Sequence, residues 1–191
     1  MMSKRLFDIL LAILLVFFLS PLFLIICIYL IFTIGFPIIF KQKRIGYKGK
    51  EFSLFKFRTM AISKNQSMVK DREFERKRVL AKTVFLRKTR LDEIPQIANI
   101  FRGDLSFVGP RPLLKEYALL YSVRQKKRLD VMAGITGWAQ IKSENRLSWK
   151  EKFEFDIWYV ENQSFLLDLK IIFLTLMFFF NSFLRKNDDL F

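Results

Sequence analysis

The chain has 191 residues, 52% of them hydrophobic, and 33 Lys+Arg against 18 Asp+Glu give a formal net charge of +15. A sequence with 23 Phe is not a disordered polybasic tail, which would be poor in aromatics, and its length suits one domain. A single Cys (Cys27) and no His exclude an intrachain disulfide, Cys/His zinc sites and His-dependent catalysis. Chemistry is left to carboxylates, Lys, Tyr and hydroxyls, and any metal would be a hard, oxygen-ligated ion.

The apolar residues bunch at the two ends, with charge between them, a distribution that suits a protein held against an anionic membrane surface. After Lys4 and Arg5 the chain is apolar from Leu6 to Phe40, broken by Asp8, Ser20 and Thr33. A straight helix through that run would be about 50 Å long, against a hydrocarbon core of about 30 Å. Ser20-Pro21, near its middle, predicts a kink: proline removes a backbone hydrogen bond, and a nearby Ser hydroxyl can re-satisfy the freed carbonyl. Gly35 and Pro37 end the second half. Basic residues flank both ends, Lys4 and Arg5 before and Lys41, Lys43 and Arg44 after. A re-entrant hairpin entering and leaving by the cytoplasmic face satisfies the positive-inside rule twice, whereas a single span satisfies it once.

From Lys41 to Arg90 there are 17 Lys+Arg and 4 Asp+Glu. Phe40 to Met60 predicts a strand pair with a turn at Gly46 to Gly49. Residues 61 to 86 read as a polar linker and then a charged helix around Lys70 to Thr83. The plain reading of these charges is a solvated face on anionic headgroups. No zinc finger, helix-turn-helix or RNP signature is present, so nucleic acid is not the expected partner. Phe165 to Leu184, interrupted by Asp168, Lys170, Thr175 and Asn181, suits either an interfacial helix or a core helix better than a second crossing.

Residues 87 to 112 read RKTRLDEIPQIANIFRGDLSFVGPRP. Leu91, Ile94, Ile97, Ala98 and Phe101 recur at helical spacing, and Gly103 is a C-terminal stop. Asp92 and Glu93 therefore sit at a helix N-terminus, where simple capping is one explanation. Arg87, Lys88 and Arg90 crowd the acids, and Arg111 stands between Pro110 and Pro112, a stiff support for a planar five-donor fork. Acids, arginines and a helix N-terminus together make a place for a diphosphate with magnesium, and an ionised Asp can attack phosphorus.

Lys56-Phe-Arg58-Thr-Met60, Arg87-x-x-x-x-Asp92-Glu93-x-Pro-Gln96, Phe107-Val-Gly-Pro-Arg111-Pro112 and Gly134-Ile-Thr-Gly-Trp-Ala-Gln140 occur in that order. Together they resemble the bacterial sugar transferase family, the monotopic polyprenyl-phosphate phosphoglycosyl transferases. The resemblance runs from Lys4-Arg-x-x-Asp8 to Phe165-Leu-Leu-Asp168-Leu-Lys170, and the C-terminal half is similar to the members acting on UDP-N,N′-diacetylbacillosamine. It implies a mixed, helix-rich α/β fold on the cytoplasmic face of the bacterial inner membrane. Residues 1–40 would form a re-entrant helix kinked at Ser20-Pro21, and residues 41–191 a cytoplasmic catalytic domain with interfacial amphipathic helices.

The implied reaction moves a sugar 1-phosphate from a UDP-sugar to undecaprenyl phosphate, with release of UMP. Asp92 would be the nucleophile, with Glu93 orienting acceptor or metal, and Mg2+ at Asp92 and Glu93. Lys56, Arg87 and Arg111 would lie near the phosphates, with Arg58 and Asp168 in support. Anionic lipids and other enzymes of the same glycan pathway are the further partners implied. Met132, Ala133 and Thr83 depart from the family pattern, which leaves the loop near 132 and any sugar preference open. The competing reading is a non-catalytic polybasic membrane-surface scaffold, which explains the charge and the Phe content and leaves the acid pair beside arginines without a role.

Overall fold

The computed structural model describes residues 2–61, 78–142 and 147–188, with side chains described up to residue 179. Helix α1 (Met2–Ile34) carries the apolar run. It runs on through Pro21, so the run is not divided by a loop at Ser20-Pro21. Pro21 has no N–H for the Phe17 carbonyl, and the Ser20 hydroxyl donates to that carbonyl instead at 3.1 Å. The helix ends where expected, at Gly35 with φ +66°. It is the one helix among the described residues long and apolar enough to cross a membrane.

Both ends of α1 are tied to the rest of the protein by charge. Lys4 pairs with Asp168 at 2.5 Å. Arg5 donates to the carbonyls of Ile100 and Phe101, at 2.6 and 3.1 Å, the end of another helix. Buried Asp8 accepts from the Ser106 hydroxyl and the Phe107 N–H, both at 3.1 Å. At the far end, buried Arg58 donates to the carbonyls of Ile34, Gly35 and Phe36, satisfying the orphan acceptors of the last turn. Between these ties, Ala12, Ile26 and Leu30 are buried in the core while Phe17, Phe18 and Phe32 stand exposed.

Strands β1 (Ile39–Ile45) and β2 (Glu51–Phe57) form the expected antiparallel hairpin, with Ile39 opposite Phe57 and Ile45 opposite Glu51. The turn uses Lys48 and Gly49 at positive φ. The free edge of β2 is closed by an amide: Asn99, fully buried, accepts from the Phe55 N–H and donates to the Ser53 carbonyl. Asn99 lies on α3 (Ile97–Arg102), which follows α2 (Val84–Lys88) and a 3-10 helix over Leu91–Gln96 and stops at Gly103 as expected. The first turns are 3-10 rather than α because Pro95 has no N–H to bond back to Leu91.

Strand β3 (Ser106–Val108) pairs in parallel with β4 (Gly134–Thr136). Here two glycine-bearing motifs meet backbone to backbone. A Cβ on Gly109 would lie 2.1 Å from the Met132 carbonyl oxygen, and one on Gly134 would lie 2.1 Å from the Gly109 nitrogen. The close approach fixes the start of the Pro110-Arg111-Pro112 loop. Its carbonyls are held from the other side. Buried Arg128 donates to the Arg111 carbonyl at 2.8 Å while pairing with Asp156 at 2.7 Å and donating to the Tyr121 hydroxyl. Asp156 and Tyr159 lie on α7 (Trp149–Glu161), whose Ser148 and Glu151 form a capping box. The Tyr159 hydroxyl donates to Asp168 at 2.6 Å. Helices α4 (Lys115–Ala118), α5 (Val123–Lys126) and α6 (Trp138–Lys142) are short connectors around this core. Helix α8 (Phe165–Asp188) buries Asp168 and Ile171 and exposes Leu166 and Phe173, so it is core on one side and apolar surface on the other.

One expectation is corrected. Most of the charged helix read around Lys70 to Thr83 falls on residues 62–77, outside the described residues. The described remainder is not α-helical: Val79 bridges to Met60, and Ala81–Thr83 is a 3-10 turn. The cause is tertiary, since Leu80 N–H and the Thr83 hydroxyl both donate to the Thr59 carbonyl.

The glycine contact gives a test. Gly109→Ala should destabilise the fold by about 3 kcal/mol, because the intruding methyl meets backbone that no rotamer change can move. Chemical denaturation of the two proteins in detergent measures it; equal midpoints would show that β3 and β4 can separate without cost.

Candidate active site

The 3-10 helix over Leu91–Gln96 begins at Arg90, which adopts a left-handed backbone at φ +59°. That turn presents Asp92 and Glu93 to the hairpin. Capping does not describe Asp92: its carboxylate accepts no hydrogen bond from the described residues, although the residue is only 6% exposed. Burial pushes its carboxyl above the usual Asp range, Lys56 opposes the rise, and Glu93 adds to it.

Glu93 is in the opposite state. Its Oε1 meets the Lys56 ammonium at 2.6 Å, Arg111 Nη2 at 3.3 Å and Arg90 Nη1 at 3.8 Å. Burial alone would raise its carboxyl, but Lys56 and Arg111 outweigh burial and hold it below the usual range. Two adjacent carboxyls thus have ionisations pushed apart, the pattern expected where two acids take different chemical roles.

Of the residues read from sequence, the structure gathers Lys56, Asp92, Glu93 and Arg111 in one cluster. Arg87 stands beside it, near enough for its charge to act on Asp92, and donates to the Thr59 hydroxyl at 3.3 Å. Arg58 is not brought to the acids; it caps α1. Asp168 serves the Lys4–Tyr159 network, and Ser20 and Pro21 lie within α1.

Sequence reasoning missed Arg44, Gln96 and Arg128. Arg44 passed for a flank of the apolar run, yet it is largely buried next to Arg111, and its pKa is pushed down to about 10 by burial and then by the Arg111 charge. Strand alternation was the available signal, since Arg44 falls on the opposite face of β1 from Lys41 and Lys43.

The donor set can be tested against magnesium. No group of three or more Asp, Glu, His or Cys able to hold a metal occurs among the described residues. Mg2+ needs only one or two carboxylates when substrate phosphates and waters supply the remaining oxygens. Glu93 Oε2 and the Asp92 carboxylate accept no hydrogen bond from the described residues, so this limited fit is met.

The sequence matches the family model for bacterial sugar transferases over residues 1–182. It is 48% identical over 177 residues to an uncharacterized sugar transferase, EpsL, of Bacillus subtilis (strain 168), covering 92% of this chain and 86% of the relative. It is 36% identical to the UDP-glucose:undecaprenyl-phosphate glucose-1-phosphate transferase of Escherichia coli (strain K12), covering 96% of this chain and 40% of the relative. It is 34% identical to the undecaprenyl-phosphate galactose phosphotransferase of Salmonella typhimurium, covering 90% of this chain and 39% of the relative. The chain thus spans nearly the whole of the first relative and about two fifths of the other two. With the acid pair and its cations in place at the motifs, the chain belongs to the bacterial sugar transferase family.

Proposed function

We propose that the protein transfers a sugar 1-phosphate from a UDP-sugar to undecaprenyl phosphate by way of a covalent aspartyl intermediate. The observation that carries this reading is the Asp92 carboxylate: buried, without a hydrogen bond from the described residues, and beside a cluster of cations. An Asp oxygen attacks the sugar-bearing phosphorus, the bond from that phosphorus to the bridging oxygen breaks, and UMP leaves with the electron pair. A phosphate oxygen of the lipid then attacks the same phosphorus and returns the carboxylate. Desolvation of Asp92 strengthens it as a nucleophile, and Lys56, Arg87 and Arg111 offset charge on the phosphoryl oxygens. Glu93 keeps Lys56 and Arg111 in place before substrate arrives. Magnesium, held by Glu93 and Asp92 when bound, would shield the diphosphate charge.

The same reading places residues 1–40 in the cytoplasmic leaflet of the bacterial inner membrane as a re-entrant element. Residues 41–191 form a catalytic domain on the cytoplasmic side, against anionic lipids. What supports it is that Lys4 and Arg5 at one end of α1, and Ile34 and Gly35 at the other, bond to the same globular part. A helix crossing the bilayer would carry one end away from that part. The exposed apolar faces of α1 and α8 are suited to lipid.

Three outcomes are expected. Protein quenched with UDP-sugar and magnesium should show a sugar-phosphate mass on the peptide holding Asp92, and Asp92→Asn should lose it entirely; the same mass on the Asn protein would move the nucleophile elsewhere. Adduct formation should fall at low pH with an acid limb above the ordinary Asp range, because Asp92 must be ionised and burial resists that. Lys56 lowers the Asp92 pKa, so Lys56→Met should move the limb to higher pH; an unmoved limb would assign it to another group. In a Cys27→Ser background, cysteines at Ser3 and Lys48 should both label only in opened cells. Labelling of position 3 in intact cells would mean a true crossing.

A further inference from the structure

Next to Arg111, a narrow slot is lined by Arg44, Leu54, Gln96, Arg111, Pro112, Gly134 and Ile135. Two of these side chains carry buried donors without an acceptor. Gln96 is 3% exposed, its Nε2 has no partner, and its amide makes no hydrogen bond with the described residues. Arg44 gives Nη1 to the Pro112 carbonyl at 3.3 Å and Nη2 to Gln42 at 2.7 Å, while its Nε is buried and unpaired. Folded proteins leave few buried donors unpaired, and each one costs its desolvation. Here two of them, from β1 and from the 3-10 helix, border one space.

The charge there is also unbalanced. Arg111 is close enough to disfavour the charge on Arg44, and Glu93 and Glu116 only partly offset this. Glu93 lies 3.3 Å from Arg111 Nη2. The 3-10 geometry explains why Gln96 joins this face: residues three apart eclipse in such a helix, so Gln96 falls in line with Glu93. A space walled by two guanidinium groups and a free amide, too narrow for a base or a sugar ring, suits a phosphate oxygen.

We propose that this slot seats one oxygen of the phosphate monoester that departs in the first half-reaction and of the one that enters in the second. The proposal rests on the transferase reading above. In an in-line double displacement the leaving group lies opposite the attacking carboxylate, and the second nucleophile must approach from that side too. The nucleotide phosphate and the lipid phosphate share one chemistry, a dianionic monoester, and Arg44, Gln96 and Arg111 receive it in turn.

The test uses full-length protein in detergent, without UDP-sugar, titrated with UMP and followed in parallel by thermal unfolding. Gln96→Met removes the unpaired amide at nearly constant volume; UMP should bind about tenfold more weakly with no loss of melting temperature. Gln96→Glu places a carboxylate between the two arginines; the melting temperature should rise while UMP affinity falls by about tenfold or more. UMP affinity within about twofold of the parent in both variants overturns the slot, as does a fall in affinity matched by a lower melting temperature in both.

For the lipid arm, undecaprenyl phosphate is chased onto preformed adduct. The concentration giving half-maximal turnover should rise in the same variants, and an unchanged value overturns the shared use. The transferase reading fails separately, if the parent protein releases no UMP from any UDP-sugar.

Discussion

One carboxylate organises the site. Glu93 draws an ammonium from β2, a guanidinium from the loop after β3 and a third cation from its own turn onto a single oxygen. Removing two charges from water for such a contact costs several kcal/mol per ion, which the Coulomb gain barely returns, so the arrangement is poor value as a source of stability. Its effect is positional. Lys56, Arg90 and Arg111 would repel one another without it; with it they stand together next to an aspartate whose own ionisation is resisted. Cations are thus already in place around an acid that burial has taken largely out of water.

That positioning relies on a frame with little freedom. Gly109 and Gly134 let two backbones touch, which sets where the proline-bounded loop begins. Arg128 and Arg44 hold the carbonyls of Arg111 and Pro112, so the backbone around the Arg111 guanidinium is fixed by other guanidinium groups. Arg128 in turn leans on Asp156 and on the rings of Tyr121 and Phe153. Long cationic side chains thus act here as struts whose heads are consumed by backbone.

That second use of arginine separates what could be read in the sequence from what could not. The hairpin, the stop at Gly103 and the acid pair were legible because turn residues, helical spacing and local charge are properties of neighbouring residues. Arg5 and Arg58 were not. The sequence shows a basic residue near an apolar run or near a motif, and the bland inference is a headgroup or a phosphate. The structure spends both on the orphan carbonyls of helix ends, partners far away along the chain. Gln96 escaped notice for a related reason: in an α-helix it would be offset from Glu93 by about 60°, and the 3-10 winding that Pro95 favours brings the two onto one line. Val79 to Thr83, read as the end of a charged helix, was misread because a bridge to Met60 and bonds to the Thr59 carbonyl override local composition.

The two clamps on α1 have a mechanical consequence. Lys4 and Arg5 grip helices α8 and α3 at one end, and Arg58 grips the last carbonyls at the other, with Ala12, Ile26 and Leu30 packed between. The apolar helix therefore cannot sink, rise or rotate by itself. Wherever a bilayer holds α1, it also sets the height of Asp92 above the hydrocarbon, so insertion depth and the distance of that carboxylate from the headgroups become one coordinate, tuned together by any change in the length of that helix.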